Sequence, residues 1–175
     1  MSFLEKIPVA RLALFACLAA FAAFAPVSAV RAEVKVGEPF PSLEARDLEG
    51  VLPECAGSVV LVDFWATWCS PCKASFPHYG ALQTELGPRG LVVIGVSVDQ
   101  KAAPYDAFLK RHSPAFATVR DGAQKLVAEV RPPAMPTCYL LDRHGVLRLV
   151  HSGFHGEQDI RLLRAEIEKL LAESP

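Results

Sequence analysis

The stretch FWATWCSPCK, residues 64–73, sets two cysteines three positions apart behind a strongly apolar run. That spacing suits zinc ligation and reversible dithiol exchange, and it also permits a permanently closed structural bridge. A structural zinc site takes four ligands. The chain has no second Cys-x-x-Cys, and its histidines show no ligand spacing with the cysteines, so no metal is expected. A bridge over so short a ring removes little loop entropy and would add little as a staple. Position favours exchange instead. Cys69 falls between a strand pattern and a helix start, where unpaired amide N–H groups and the helix dipole favour thiolate over thiol. Cys69 is therefore the predicted nucleophile, and Cys72, one turn inward, the predicted resolving thiol.

Holding that pair requires a strand before it and a helix after it, and both are legible. SVVLVDFWA, residues 58–66, is apolar except for Asp63 and reads as a strand covered on both faces. From Cys69 to Leu86 the apolar residues Phe76, Tyr79, Leu82 and Leu86 recur at helical spacing, with Pro77 inside and GPRG as a stop. LVVIGVSV, residues 91–98, predicts a second buried strand. Residues 102–112 predict a helix with Tyr105, Phe108 and Leu109 inward, AFATV a short strand, and residues 122–130 a further helix. After the three prolines of RPPAMP, TCYLLD and VLRLVHSG predict a hairpin across RHG, and residues 157–172 a closing helix. Nearer the start, residues 33–42 read as an extended arm. Leu43–Asp47 and Val51–Leu52 flank LEG as a predicted β-hairpin, with Gly50 free to take a positive φ. The alternation argues an α/β three-layer sandwich: a mixed central sheet, flanking helices and an N-terminal β-hairpin.

Residues 1–32 are of a different material. Lys6 and Arg11 precede the apolar run Leu12–Phe24, and Pro26 leads into small residues ending in VSA or VRA. This describes a secretory signal cleaved after Ala29 or Ala32, or retained as an anchor, with Cys17 inside it and residues 33–175 as one domain. Export places Cys55, Cys69, Cys72 and Cys138 where disulfides persist. Beyond residue 32, 15 basic residues face 18 acidic ones. That balance makes no electrostatic case for nucleic acid or for a polybasic membrane patch.

VVLVDFWATWCSPCK, followed about sixty residues later by AMPTCYLLDRHG, is similar to the thioredoxin superfamily. More narrowly it resembles the exported TlpA/ResA-like thiol-disulfide oxidoreductases, a group that includes cytochrome c maturation thioredoxins. The resemblance implies a thioredoxin-like fold in which Pro136 is cis and lies against the cysteine pair, baring the Met135 backbone to an extended substrate segment. It also implies that Asp63 sits beneath Cys72 and takes its proton during resolution, a role helped by burial, which raises a carboxyl pKa. Trp65 reads as core, and Trp68, beside Cys69, as a wall of the substrate surface. The family pattern usually continues Cys-x-x-Glu after the second cysteine; Ser75 stands there in this chain.

These readings converge on an exported enzyme that reduces protein disulfides as a monomer without a cofactor. A membrane thiol electron donor would restore it, and the client candidates are apocytochrome c or copper-site cysteines. A copper-binding assembly chaperone on the same fold is the alternative, although such proteins space their cysteines Cys-x-x-x-Cys. A peroxidase of the peroxiredoxin type would need Thr-x-x-Cys, whereas Thr67 is two residues before Cys69. If the strands holding Cys55 and Cys138 run antiparallel, as the resemblance implies, a seven-residue strand of ~23 Å separates them. A disulfide tolerates ~7 Å between Cα atoms, so both are predicted unpaired. The five histidines are expected on surfaces or loops.

Overall fold

The structure is a computed structural model that describes residues 34–173. The predicted signal segment and Cys17 lie outside the described residues. Five strands and four helices follow one another as β1 (Val59–Trp65), α1 (Ser70–Leu86), β2 (Leu91–Ser97), α2 (Ala102–His112), β3 (Ala117–Arg120), α3 (Lys125–Val130), β4 (Thr137–Leu141), β5 (Leu147–Ser152) and α4 (Glu157–Ala172). The sheet order is β3-β2-β1-β4-β5, with β1, β2 and β3 parallel and β4 and β5 antiparallel to their neighbours.

Every residue of β1 is buried, which is what an unbroken apolar run requires of a central strand. Its alternate side chains feed two cores. Leu61 and Trp65 pack with Tyr79 and Leu82 of α1, Phe108 of α2 and Ile167 of α4. Val60, Val62 and Phe64 pack on the other face with Leu126 of α3, Tyr139 of β4 and the arm residues Val34 and Phe40. The result is the three-layer sandwich expected from the alternating pattern. Trp65 anchors the first layer, its ring 4.6 Å from Phe76, 4.8 Å from Phe108 and 6.0 Å from Tyr105. Trp65→Ala is expected to lower unfolding stability by about 3–5 kcal/mol, since the cavity would be walled by three packed aromatic rings. Denaturant unfolding at constant pH measures this.

The expected N-terminal β-hairpin does not form. Glu44–Arg46 closes as a single 3-10 turn ended by Asp47 at φ 53°. Glu49 then pairs with Arg120, its N–H donating to the Arg120 carbonyl at 2.9 Å and its carbonyl accepting from the Arg120 N–H at 2.8 Å. An open strand edge on β3 thus offers the segment backbone partners that a two-residue return would not. The ion pairs Glu49–Arg120, Asp47–Lys125 and Arg46–Glu129 secure it against β3 and α3. Gly50 does adopt φ 122°, at a point where an added Cβ would meet the Thr118 carbonyl at 3.2 Å.

Helix α3 starts three residues later than its apolar pattern suggests. The Asp121 carboxylate accepts from the N–H groups of Lys125 and Val127 at 2.9 and 2.8 Å, which fixes the first turn after the Gly122 bend. Helix α1 has Pro71 in its first turn and runs to Leu86 with Pro77 inside it.

Candidate active site

Strand β1 ends at Trp65, and the chain turns through Ala66, Thr67 and Trp68 before Cys69 caps α1. The Cys69 sulfur accepts the Cys72 N–H at 3.2 Å, so the first cysteine occupies the helix N-cap. The two sulfurs are joined as a disulfide, the Cα atoms 5.3 Å apart. Cys72 is fully buried, whereas Cys69 keeps 5% exposure. Only one of the two can be approached from solvent.

A residue that the sequence reading missed holds this turn. Asp99, just past β2, accepts the Thr67 N–H at 2.9 Å and the Thr67 hydroxyl at 2.8 Å, and the Ser97 hydroxyl at 2.7 Å. Thr67 is thereby committed to positioning the loop. The signal was faint: an acid just beyond an apolar strand looks like any loop residue until β1 and β2 are known to be adjacent and parallel.

Trp68 projects outward with 68% exposure. On the other side of the turn, the pairing of Phe64 with Thr137 brings Pro136 opposite the end of β1. The Met135–Pro136 bond is cis, and Met135 packs against the core that contains both cysteines. The Thr137 hydroxyl donates to the Ala134 carbonyl at 2.8 Å and the Gly153 N–H to the Pro136 carbonyl at 2.7 Å. No hydrogen bond among the described residues engages the Met135 backbone.

Asp63 lies in β1 with no exposure, and neither carboxylate oxygen has a hydrogen-bond partner. Burial pushes its carboxyl well above the usual carboxylate range. Its register partners are Gly95 of β2 and Cys138 of β4. The Cys138 thiol is raised strongly by burial and then by the Asp63 charge, and the buried Tyr79 hydroxyl by burial and then by Cys138 and Asp63. An acid, a thiol and a phenol thus share one dry space against α1. Where the family pattern carries Glu, Ser75 is fully buried and its hydroxyl donates to the Cys72 carbonyl at 2.8 Å. A side chain tied to the helix backbone leaves Asp63 without a neighbouring carboxylate at that position.

The leftover cysteines are free thiols. Cys55 is half-buried and donates to the Pro53 carbonyl at 3.3 Å. It lines a hollow of about 520 Å³ with Phe40, Leu52 and Leu141, at the end of β1 opposite the disulfide. Of the histidines, His112 stacks on Phe108, and His78 lies tilted against Phe154. His151 departs from the surface expectation: it sits in β5 with Nε2 buried.

Comparison with known proteins agrees with this arrangement. The AhpC/TSA family profile matches residues 36–150. The thiol-disulfide oxidoreductase ResA of Halalkalibacterium halodurans is 30% identical over 131 residues, 73% of this chain and 74% of its own. ResA of Bacillus cereus is 26% identical over 141 residues, 79% of this chain and 80% of its own. A crystal structure from Chlorobium tepidum described as a thiol:disulfide interchange protein DsbE superposes with a TM-score of 0.74 at 31% identity, covering 80% of this chain and all of that one. The family profile runs through the Cys69–Cys72 turn and strands β1 to β4, and the chain belongs to the AhpC/TSA family, as a thioredoxin-fold thiol-disulfide oxidoreductase.

Proposed function

We propose that the protein is an exported reductase of protein disulfides in which Cys69 attacks and Cys72 resolves. The observation that carries this is the asymmetry of the pair: Cys69 caps a helix and reaches solvent, while Cys72 is fully buried. The Cys69 thiolate attacks one sulfur of a client disulfide, and the other client sulfur leaves. The Cys72 thiol gives its proton to Asp63 and its sulfur attacks Cys69, which releases the second client thiol. The enzyme is left with the Cys69–Cys72 disulfide, and a membrane thiol donor reduces it again. Trp68 and the unengaged Met135 backbone beside Pro136 supply the client surface, the latter by pairing with an extended segment.

Residues 1–32 serve export, and residues 33–175 act as one monomeric domain without a cofactor. Apocytochrome c Cys-x-x-Cys-His segments and copper-site cysteines are clients of the right chemistry. The deciding experiment is the potential of the Cys69–Cys72 couple in dithiothreitol or glutathione buffers, together with turnover of a Cys-x-x-Cys-His peptide disulfide. A value near the ~−270 mV of thioredoxin supports reduction; one near the ~−120 mV of DsbA reverses the direction.

Asp63 also leaves a signature in stability. Its carboxyl binds a proton more tightly folded than unfolded, so its contribution is complete below pH ~3.8 and is lost as pH rises toward the folded value. Asp63→Asn is therefore expected to raise the melting temperature relative to the parent at pH 8, with the gain shrinking toward pH 4, while slowing resolution. Thermal unfolding of both proteins across that range tests it, and a pH-independent difference would contradict a buried acid that ionises.

A further inference from the structure

Across three strands, Asp63 of β1 pairs with Cys138 of β4, and Cys138 with His151 of β5. Register partners project to the same face of a sheet, with Cβ atoms about 5 Å apart. That face is the one covered by α1 and α4, since Cys138 shares a core with Leu61, Tyr79 and Ile167. Exposure rises along the row, from none at Asp63 and 1% at Cys138 to 25% for the His151 side chain. Beyond His151 stands Asp159, in the first turn of α4, its Oδ2 3.4 Å from Nε2, an ion-pair distance without hydrogen-bond alignment. The same oxygen accepts the His155 N–H at 2.6 Å and lies 3.3 Å from Nδ1 of that ring, which is open to water.

Two members of this row carry buried polar atoms with no hydrogen-bond partner: both oxygens of Asp63 and Nε2 of His151. Between them the Cys138 sulfur faces the Tyr79 hydroxyl and the His151 backbone N–H, and burial keeps that thiol protonated. Burial works against the Asp159 charge, yet the His155 N–H and the His151 and His155 rings hold its carboxyl below the usual range. The outer end of the row is thus anionic while the inner end favours the neutral acid. The other titratable groups around the row are Tyr79 and, beyond it on α1, His78, which packs on Phe154; β2 contributes only Gly95.

We infer that Asp63, Cys138 and His151 form a proton exit through which the buried Asp63 loses its proton to solvent beside Asp159, as it must before it can take the proton of Cys72. This rests on the reading of Asp63 as the acceptor of that proton. Neutral Asp63 gives its proton to the Cys138 sulfur as the Cys138 S–H proton passes to the His151 imidazole, and the imidazolium, facing Asp159, releases a proton to water. Asp63 then takes the Cys72 proton, and the three groups end as they began. The electrons remain with the sulfurs, where the Cys72–Cys69 bond replaces the Cys69–client bond.

The test uses the reduced protein and an excess of an aromatic disulfide whose thiols absorb visible light. Cys69 releases the first thiol and Cys72 the second, so the two phases separate attack from resolution. His151→Ala is expected to leave the first phase unchanged, slow the second at least about tenfold, and recover it with added imidazole. Cys138→Ala should slow the second phase likewise, while Cys138→Ser, which still carries a relaying proton, should retain it. An intact first phase shows that the variants are folded, and His151→Gln replaces His151→Ala if that phase is lost. A second phase at the parental rate in His151→Ala and Cys138→Ala, or a slow one that imidazole does not restore, overturns the proton exit. Asp63→Asn separates the two readings. If it resolves at the parental rate, the role of Asp63 fails; if it is slow while His151→Ala is fast, only the exit row fails.

Discussion

Cys69→Ser is expected to abolish disulfide exchange, with a loss on the order of 10³-fold or more, the scale seen when a covalent nucleophile that acts within a unit is removed. A serine hydroxyl is not ionised at the helix N-cap and does not attack a disulfide sulfur. No other thiol among the described residues is placed to substitute. Cys72 is fully buried, Cys138 is 1% exposed with its thiol held protonated, and Cys55 lies near the opposite end of β1. The Cys55 thiol is itself raised, by burial and then by the charges of Glu54 and Glu44. The same ordering fixes which thiol a mild alkylating agent finds first. In the reduced protein at neutral pH, label should enter Cys69 ahead of Cys55, Cys72 and Cys138, as read by peptide mass mapping. Exchange that survives the serine variant, or label that enters Cys55 first, would falsify the assignment of the nucleophile.

Cys72→Ala should have the opposite phenotype, a captured client rather than a silent enzyme. Cys69 still attacks, but the thiol held within one helical turn of it is gone, and release must wait for an external thiol. An intramolecular attack held in line gains effective molarities many orders above millimolar solution thiols. The mixed disulfide should therefore persist on the order of 10³-fold longer, as a covalent complex that dithiothreitol dissolves. Non-reducing electrophoresis of the variant incubated with a Cys-x-x-Cys-His peptide disulfide shows it. Trapped adducts on Cys72 in the Cys69→Ser variant instead would exchange the two roles.

Much of the scaffold was legible before any coordinates. The continuous apolar run around Asp63 could only be a doubly covered strand, and the spacing Phe76, Tyr79, Leu82, Leu86 only a helix face. Residues 157–172 match α4 to the residue, because an amphipathic helix writes its own buried stripe. The Cys-Ser-Pro-Cys turn was legible for the same reason, since its chemistry depends on its immediate neighbours along the chain. The N-terminal hairpin was misread because its true partner, Arg120, lies some seventy residues away and leaves no local pattern. Asp99 was missed because a carboxylate past a strand end acquires meaning only when Thr67 is brought beside it.

Local spacing alone, then, determined most of the elements and pointed to Cys69 as the candidate nucleophile, because periodicity and helix-end electrostatics act over a few residues. Tertiary structure decided what surrounds them: that Asp63 has no partner, that Ser75 turns back to its own helix, and that Cys138 and His151 stand in register with the buried acid. Those facts come from strand pairing and burial, which join residues far apart in the chain. The cost of an unpaired charge or polar atom exists only once that packing has removed the water.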